Sequence, residues 1–194
     1  MASLVERYLS DKAGTPITVI DIGSTQVDEV NGCYKPLFDK AGWSYVGVDI
    51  AAGRNVDVVL KSPYQLPFKK DHADVIISGQ TFEHMEFFWL SWLEMVRVLK
   101  PGGYIMLIAP SRGTEHRYPV DCWRFYPDGF RALAKYGKVE VVEVHTDGLL
   151  GDDAMPGGPF FRKLFNVIRY LIRLNYRVAR NFWGDTVGVF RKPV

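Results

Sequence analysis

Two short apolar runs that each end at an acid constrain this chain more than any other feature. Thr18-Val-Ile-Asp-Ile-Gly23 is apolar up to Asp21 and breaks at Gly23, the pattern of a buried parallel strand handing the chain over to a ligand loop. Tyr45-Val-Gly-Val48 repeats it and stops at Asp49. Gly23 and Gly32 are positions where the backbone can turn sharply or approach a ligand with no Cβ in the way. An acid at the tip of the second strand of a nucleotide-binding sheet can accept hydrogen bonds from both ribose hydroxyls. Between the two runs lie Asp28 and Glu29, then Cys33 to Ala41, which reads as a short helix with Pro36 tolerated in its first turn. Strands of this kind specify a doubly wound α/β sheet, with ligands gathered outside the strands' carboxyl ends.

The dinucleotide signature Gly-x-Gly-x-x-Gly is absent, so nothing supplies the glycines that seat a pyrophosphate on a helix N-terminus. A cofactor with a ribose and no phosphate does not need them, and S-adenosylmethionine is such a cofactor. Val-Ile-Asp-Ile-Gly at 19–23, Gly-Val-Asp-Ile at 47–50, Leu-Pro-Phe at 66–68, Ala-Asp-Val-Ile-Ile-Ser at 73–78 and Val-Leu-Lys-Pro-Gly-Gly-Tyr at 98–104 resemble, in order and spacing, the motifs of class I S-adenosylmethionine-dependent methyltransferases of the type 11 branch. The resemblance covers roughly Thr18 to Val144. It implies a Rossmann-like, doubly wound, seven-stranded sheet, mostly parallel with the last strand antiparallel, in an enzyme that binds S-adenosylmethionine. The cofactor contacts it implies are Asp21, Gly23 and Ser24 in the first loop, Asp49 and Ile50 in the second, Ser62 and Pro63 on the adenine side, and Ser78, Gly79 and Gln80 at the methionine end. Two positions depart from the family pattern. Gly23-Ser24-Thr25 stands where Gly-x-Gly is usual, and Ser62 stands where an acid would meet the adenine amine.

The remaining elements follow from periodicity and breakers. Leu4, Val5, Tyr8 and Leu9 mark one face of a helix over Leu4–Lys12, ended by Gly14 and Pro16, that packs on the sheet or caps the cofactor. Strands are expected at Val56–Leu60, Asp74–Ser78, Tyr104–Ala109, Val139–Val144 and Thr186–Phe190, and helices at Phe87–Lys100 and Asp128–Lys135. The stripe Phe88, Trp92, Met95, Val96 and Leu99 is a core face. Tyr64 is either an exposed loop residue or a ring contact to the cofactor. His84, at the start of the helix after the fourth strand, is read as support for its loop.

Pro110 to Pro127 is long for a connection inside a compact domain, and its aromatic and proline content argues against disorder. It leaves a strand's carboxyl end over the place where a methyl group would be presented. His116, Arg117, Tyr118, Asp121, Trp123, Arg124 and Tyr126 are therefore the acceptor-site candidates. His116 is the candidate general base, because an imidazole titrates near neutral pH and can take the proton from an attacking hydroxyl. Asp121 either orients it or acts alone. Arg117, Tyr118, Arg124 and Tyr126 are the candidate acceptor contacts. The structural alternative is an Asp121–Arg124 ion pair with Trp123 and Phe125 as packing, and for those two aromatics packing is the preferred reading. The His, Arg, Asp and Tyr content of this loop makes a hydroxyl of a small or carbohydrate-like polar acceptor the expected target, and an Asn-Pro-Pro-Tyr type amine-methylation motif is also missing.

The 194 residues, 47% hydrophobic and 24% charged, suit one domain with a sizeable core. There is no basic segment followed by an apolar core at the N-terminus and no apolar run of membrane-spanning length, so a cytoplasmic protein is expected. Cys33 and Cys122 suggest neither a disulfide framework nor a metal site, and no metal is expected. Residues 159–194 carry eight Lys or Arg against one Asp, which leaves a net of about −5 on the first 158. Residues 148–183 read as an insertion whose part from Phe160 to Trp183 is a basic amphipathic helix. Arg162, Arg169, Arg173, Arg177 and Arg180 share one stripe, and Leu164, Ile168, Leu171, Leu174, Val178 and Phe182 lie opposite. A helix packed on the domain, an interfacial helix on an anionic membrane surface, and a lid over the acceptor or a binding element for an anionic substrate such as a phosphorylated or lipid-linked sugar all fit. A nucleic-acid partner is not expected, because the acidic body would repel phosphate. Two rivals to an enzyme stay open. One is a binding protein on a methyltransferase fold without turnover, and the other is a membrane-peripheral module acting through residues 160–183. Oligomeric state is not legible.

Overall fold

The computed structural model describes residues 1–26, 33–147 and 184–194. The basic helix expected over residues 160–183, the acids Asp28 and Glu29, and Gly32 lie outside them. Seven strands form one sheet: β1 (Ile17–Ile22), β2 (Trp43–Asp49), β3 (Val58–Val59), β4 (Ala73–Gly79), β5 (Leu99–Arg112), β6 (Glu140–Asp147) and β7 (Gly184–Arg191). Their order is β3-β2-β1-β4-β5-β7-β6. The first five strands run parallel, and β7 pairs antiparallel with both β5 and β6. This is the expected Rossmann-like sheet, and the switch between β1 and β4 puts the ligand crevice at their carboxyl ends.

Both faces of β1 are buried because both are covered. Ile20 and Ile22 join Ile76, Leu107, Trp92, Met95, Phe130 and Phe190 beneath the helices α2 (Phe88–Val98) and α3 (Pro127–Gly137). Val19, Val75, Ile77, Met106 and Val189 face the other way, under α1 (Ala2–Leu9) and Phe38. Alternate residues of one strand thus serve two cores, which is why the strands read as unbroken apolar runs. Leu4, Val5 and Leu9 are the buried face of α1, so the first helix packs on the sheet. It is also tied to β6, where Arg7 Nη1 and Tyr8 Oη each donate to Glu143 Oε2 at 2.6 Å.

Several boundaries differ from the sequence expectation, each for a reason in pairing or turn geometry. The short helix expected at Cys33–Ala41 is a single 3-10 turn, Lys35–Phe38, whose Phe38 plugs the α1 side of the core. The third strand shrinks to Val58–Val59, which pair with Val48 and Asp49; the flanking amides of Asp57 and Leu60 donate to the Gly47 and Asp49 carbonyls without extending the strand. Strand β5 starts earlier than expected, since Leu99 already pairs with Ala73, and ends later, with Arg112 opposite Gly184. Helix α2 accordingly stops at Val98. At the far end of the sheet Lys192 Nζ donates to Asp71 Oδ1 and to the carbonyls of Val96 and Leu99. Among the described residues no helix is long and apolar enough to cross a membrane.

Candidate functional site

The carboxyl ends of β1, β2 and β4 meet at one edge of the sheet. Gly23 leaves β1 at φ +78°, and a Cβ there would lie 2.1 Å from Thr81 Oγ1. The loop after β1 therefore meets the segment after β4 backbone first, and only glycine satisfies both the contact and the left-handed conformation. The amides of Gly23 and Ser24 both donate to the Val48 carbonyl, at 2.9 and 3.1 Å. The buried Ser24 side chain turns to the β2–β3 connection, where its hydroxyl donates to the Asn55 carbonyl at 3.1 Å. Room for it comes from Gly47 on the neighbouring strand, where a Cβ would lie 2.6 Å from Ser24 Oγ and 2.0 Å from the Asn55 carbonyl oxygen. The serine in the glycine position of the first loop is thus matched by a glycine in β2.

Asp49 sits at the tip of β2 as expected. Its Oδ1 accepts from the amides of Ile50 (2.7 Å) and Ala51 (3.3 Å), and its Oδ2 accepts from the Thr25 amide (3.1 Å). A carboxylate has about four acceptor positions, so three of them hold two loops together and fix the group in place. Ile50 beside it is half exposed. Asp21 is buried. Its Oδ2 accepts from the Tyr45 hydroxyl, while Oδ1 is buried with no hydrogen-bond partner, as is the neighbouring Thr25 Oγ1. Burial pushes the Asp21 carboxyl up to about 7, against the pull of the Tyr45 hydrogen bond and with a further push from Asp49.

That shift has a definite sign in stability. Unfolded aspartate ionises near 3.9 and folded Asp21 only at about 7. Between those values the unfolded state binds fewer protons, so stability falls as pH rises through the window and is flat above it. Three pH units correspond to up to about 4 kcal/mol. Asp21→Asn, which keeps an acceptor for Tyr45, is expected to match the wild type near pH 4 and to exceed it at about pH 8 by roughly 1–4 kcal/mol. Denaturant melts at the two pH values would show it, and a variant that is less stable at both would refute it.

The adenine-side expectation falls on a fastened turn. Ser62 Oγ accepts from the Tyr64 amide, the Pro63 carbonyl accepts from Ser91 Oγ at 2.7 Å, and the Tyr64 ring packs on Phe87 with centroids 5.7 Å apart. Ser78 is fully buried and its hydroxyl donates to the Ile22 carbonyl at 2.9 Å, so it cross-links β4 to β1 and leaves only backbone for a ligand. Gln80 holds φ +55°, and its amide donates to the Ile108 carbonyl. A glutamine in the left-handed region is uncommon and concentrates at functional sites. It lines a cleft of about 290 Å³ together with Tyr34, Arg7, Glu143, His145 and Asp185. None of these five stood out in the sequence, because the cleft exists only where α1 crosses the sheet beside β6. Burial, reinforced by Asp21, pushes the Tyr34 hydroxyl up to about 12, which keeps it protonated.

The loop after β5 is held by its own charges. Arg124 donates to both oxygens of Asp121, at 2.5 and 2.7 Å, and to the carbonyls of Trp123 and Thr114. Its guanidinium holds the Asp121 carboxyl well below the usual carboxylate range, so Asp121 acting alone as a base is disfavoured and Arg124 is committed to the loop rather than to an acceptor. Asp121 Oδ2 accepts from the His116 amide at 2.7 Å and lies 3.6 Å from His116 Nδ1, which places it behind His116 through the backbone. His116 Nδ1 is 3.2 Å from the Thr114 carbonyl. Arg117 pairs with Glu115 at the surface, and Tyr118 and Tyr126 are exposed. Phe125 is buried, the packing role preferred for it, whereas Trp123 lies against the Phe88 and Trp89 rings and donates to the Met85 carbonyl but stays partly exposed, so it does not plug the sheet end. His84 Nδ1 lies 2.6 Å from the Val120 carbonyl, so it ties the turn after β4 to the loop after β5 rather than supporting only its own loop.

Glu83 went unnoticed in the sequence. It lies in the 3-10 turn Phe82–His84 with its side chain fully buried, and neither carboxylate oxygen has a hydrogen-bond partner. Burial pushes its carboxyl up to about 7. The available signal was the Glu-His pair directly after a strand end, flanked by Phe82 and Met85.

Residues 4–107 match the family model described as "Methyltransferase domain". The chain belongs to this family. Curated relatives agree. An uncharacterized methyltransferase of Mycobacterium tuberculosis is 29% identical over 153 residues, covering 70% of this chain and 56% of the relative. One from Mycobacterium leprae is 31% identical over 154 residues, covering 70% and 54%. The matched regions thus span little more than half the length of these relatives. Among solved structures, a methyltransferase from Archaeoglobus fulgidus described as SAM dependent aligns with a TM-score of 0.63 at 15% identity, over 98% of this chain and 92% of that one. Phosphoethanolamine N-methyltransferase 2 of Haemonchus contortus, crystallised with S-adenosyl-L-methionine, gives 0.61 at 14% identity, over 99% and 52%. The [4+2]-cyclase SpnF gives 0.65 at 13%, over 100% and 80%. Identities this low establish the fold, and SpnF shows that the fold is also found in a protein named for a different reaction.

Proposed function

We propose that this chain transfers a methyl group from S-adenosylmethionine to a hydroxyl of a small or carbohydrate-like polar acceptor. The observation that carries the reading is Asp21 Oδ1, a buried carboxylate oxygen without a partner at the end of β1, on the strand next to the one that ends in Asp49. An unpaired buried carboxylate is costly, and a ligand carrying positive charge offsets that cost. S-adenosylmethionine, with its ammonium and sulfonium groups, supplies an activated methyl. Asp49 offers its remaining acceptor capacity to the ribose hydroxyls, Asp21 faces the ammonium, and Ile50 with Ser62 and Pro63 flanks the adenine. Gly23, Ser24, Ser78 and Gly79 contribute backbone, and Gln80 borders the methionine end. Methyl transfer is a direct displacement, so the chain's work is alignment of the acceptor and removal of its proton.

His116 is the candidate to take that proton. Asp121 holds it through its amide and is itself locked by Arg124, while Arg117, Tyr118 and Tyr126 frame the acceptor at the exposed rim. The test is His116→Ala, assayed with labelled S-adenosylmethionine against a panel of glycans and small hydroxyl compounds. Transfer should fall by about 10²–10⁴-fold while S-adenosylmethionine affinity is retained. Full activity in the variant removes His116 from the reaction, and absence of cofactor binding by the wild type overturns the reading as a whole.

A further inference from the structure

Three side chains that can ligate a metal converge where the loop after β5 closes over the end of β4. We propose that Glu83, His84 and His116 form a binding site for a divalent transition-metal ion of the zinc type, with Glu83 Oε1, His84 Nε2 and His116 Nε2 as the ligands. One ligating atom from each residue lies within 4.8 Å of the other two. Glu83 Oε1 is 3.7 Å from His84 Nε2 and 4.0 Å from His116 Nε2, and the two rings meet edge to face at 5.0 Å.

Two independent features separate this cluster from a chance meeting of polar groups. The first is Glu83 itself, with 0% of its surface exposed and neither oxygen hydrogen-bonded. Buried acceptors of this kind are satisfied in native proteins almost without exception, and Arg124, whose charge reaches Glu83, makes no hydrogen bond to it: its two Nη atoms are on Asp121 and backbone carbonyls, and its Nε is buried without a partner. The second is how the rings are held. His84 Nδ1 is 2.6 Å from the Val120 carbonyl and His116 Nδ1 is 3.2 Å from the Thr114 carbonyl. A backbone oxygen at Nδ1 fixes the proton there and presents Nε2 as the ligating atom, the usual arrangement behind metal-bound imidazoles. The Glu83 carbonyl in turn accepts from the amides of Cys122 and Trp123, which pins the loop carrying His116 to the turn carrying the other two ligands.

Two imidazoles and one carboxylate suit zinc, iron(II) or manganese(II), and three protein ligands leave at least one position open. Tetrahedral ligands are about 3.4 Å apart, so the three groups close in by roughly an ångström or less on average around the ion. An acceptor hydroxyl bound at an open position would lose its proton more readily. With the ion bound, His116 Nε2 is a ligand and cannot take that proton, which passes to solvent. The ion would thus replace His116 as the means of deprotonation in the function proposed above, whereas binding of the ion does not rest on that function.

The test uses the full chain, stripped with a chelator, then titrated with Zn²⁺ by calorimetry and with Co²⁺ by visible absorption. One ion per chain is expected, with micromolar or tighter affinity and a ligand-field band for cobalt. His116→Ala and His84→Ala should each weaken binding at least about tenfold, and Glu83→Gln should do the same. Since the glutamine at a buried site could unfold the chain, His116→Ala, on a half-exposed loop residue, is the deciding variant, with circular dichroism confirming its fold. A variant lacking His72, His145 and both cysteines should bind as the wild type does. Absence of binding, or affinity within about twofold of wild type in His116→Ala, overturns the proposal. Titration of the same samples with S-adenosylmethionine reads the methyl-transfer hypothesis separately.

Discussion

Asp49→Ala is expected to reduce affinity for S-adenosylmethionine by about 10–10²-fold, measured by calorimetric titration beside the wild type. A hydrogen bond from a ribose hydroxyl to the one acceptor position that the Thr25, Ile50 and Ala51 amides leave on Asp49 is worth about 1.5–3 kcal/mol, and a tenfold change is 1.4 kcal/mol. The substitution also releases the amides of Thr25, Ile50 and Ala51, which Asp49 now holds, so the two loops lose their common anchor as well as their acceptor. Asp49→Asn, which keeps one carbonyl oxygen, should fall between the two. Asp49 is partly buried at the tip of an interior strand, so a fall in thermal stability of about 1–3 kcal/mol should accompany the loss of binding. Unchanged affinity in Asp49→Ala would mean that the ribose is held elsewhere.

Gly47→Ala should act first on stability, with a loss of about 3 kcal/mol or more, and cofactor binding lost as a consequence. The added methyl would stand 2.0 Å from the backbone carbonyl of Asn55 and 2.6 Å from Ser24 Oγ. The hydroxyl can rotate, but the carbonyl is fixed. The Gly47 amide donates to Asp57 Oδ2 and its carbonyl accepts from the Asp57 amide, both at 2.8 Å, so β2 and the connection to β3 cannot separate without breaking that pair. Ser24→Gly added to Gly47→Ala should therefore recover only part of the loss. Chemical denaturation of the single and double variants measures it, and a Gly47→Ala protein as stable as the wild type would show that the connection yields.

The strands were legible because burial on both faces writes them as apolar runs, and Asp21, Asp49 and Gly79 fell at strand ends as their spacing implied. Ser24 was legible only as a departure. Its meaning depends on Gly47, which sits across the sheet on β2, and no local window relates the two. Asp121 and Arg124 were legible both as acceptor-site candidates and as an ion pair; the pair forms, and the Thr114 carbonyl and the His116 amide, which no local pattern announces, complete its network. Glu83 was missed for a similar reason. In the sequence it is a charged residue in a turn, and it becomes buried only when a loop some thirty residues later folds back and places His116 against it. The cleft residues Arg7, Tyr34 and Asp185 come from three distant parts of the chain and share no pattern that a strand or helix period could reveal.

The pairing of β6 with β7 has a consequence for the mouth of the site. Asp147 pairs with Asp185, and Gly184 lies opposite Arg112 at the end of β5, so the chain leaves the sheet and rejoins it at one doorway, on the edge where β1, β2 and β4 also deliver their loops. Backbone pairs at Arg112, Asp147, Gly184 and Asp185 therefore close the β5–β7–β6 ladder at the mouth of the site, and the register of that end of the sheet is written in residues that lie on the frame itself.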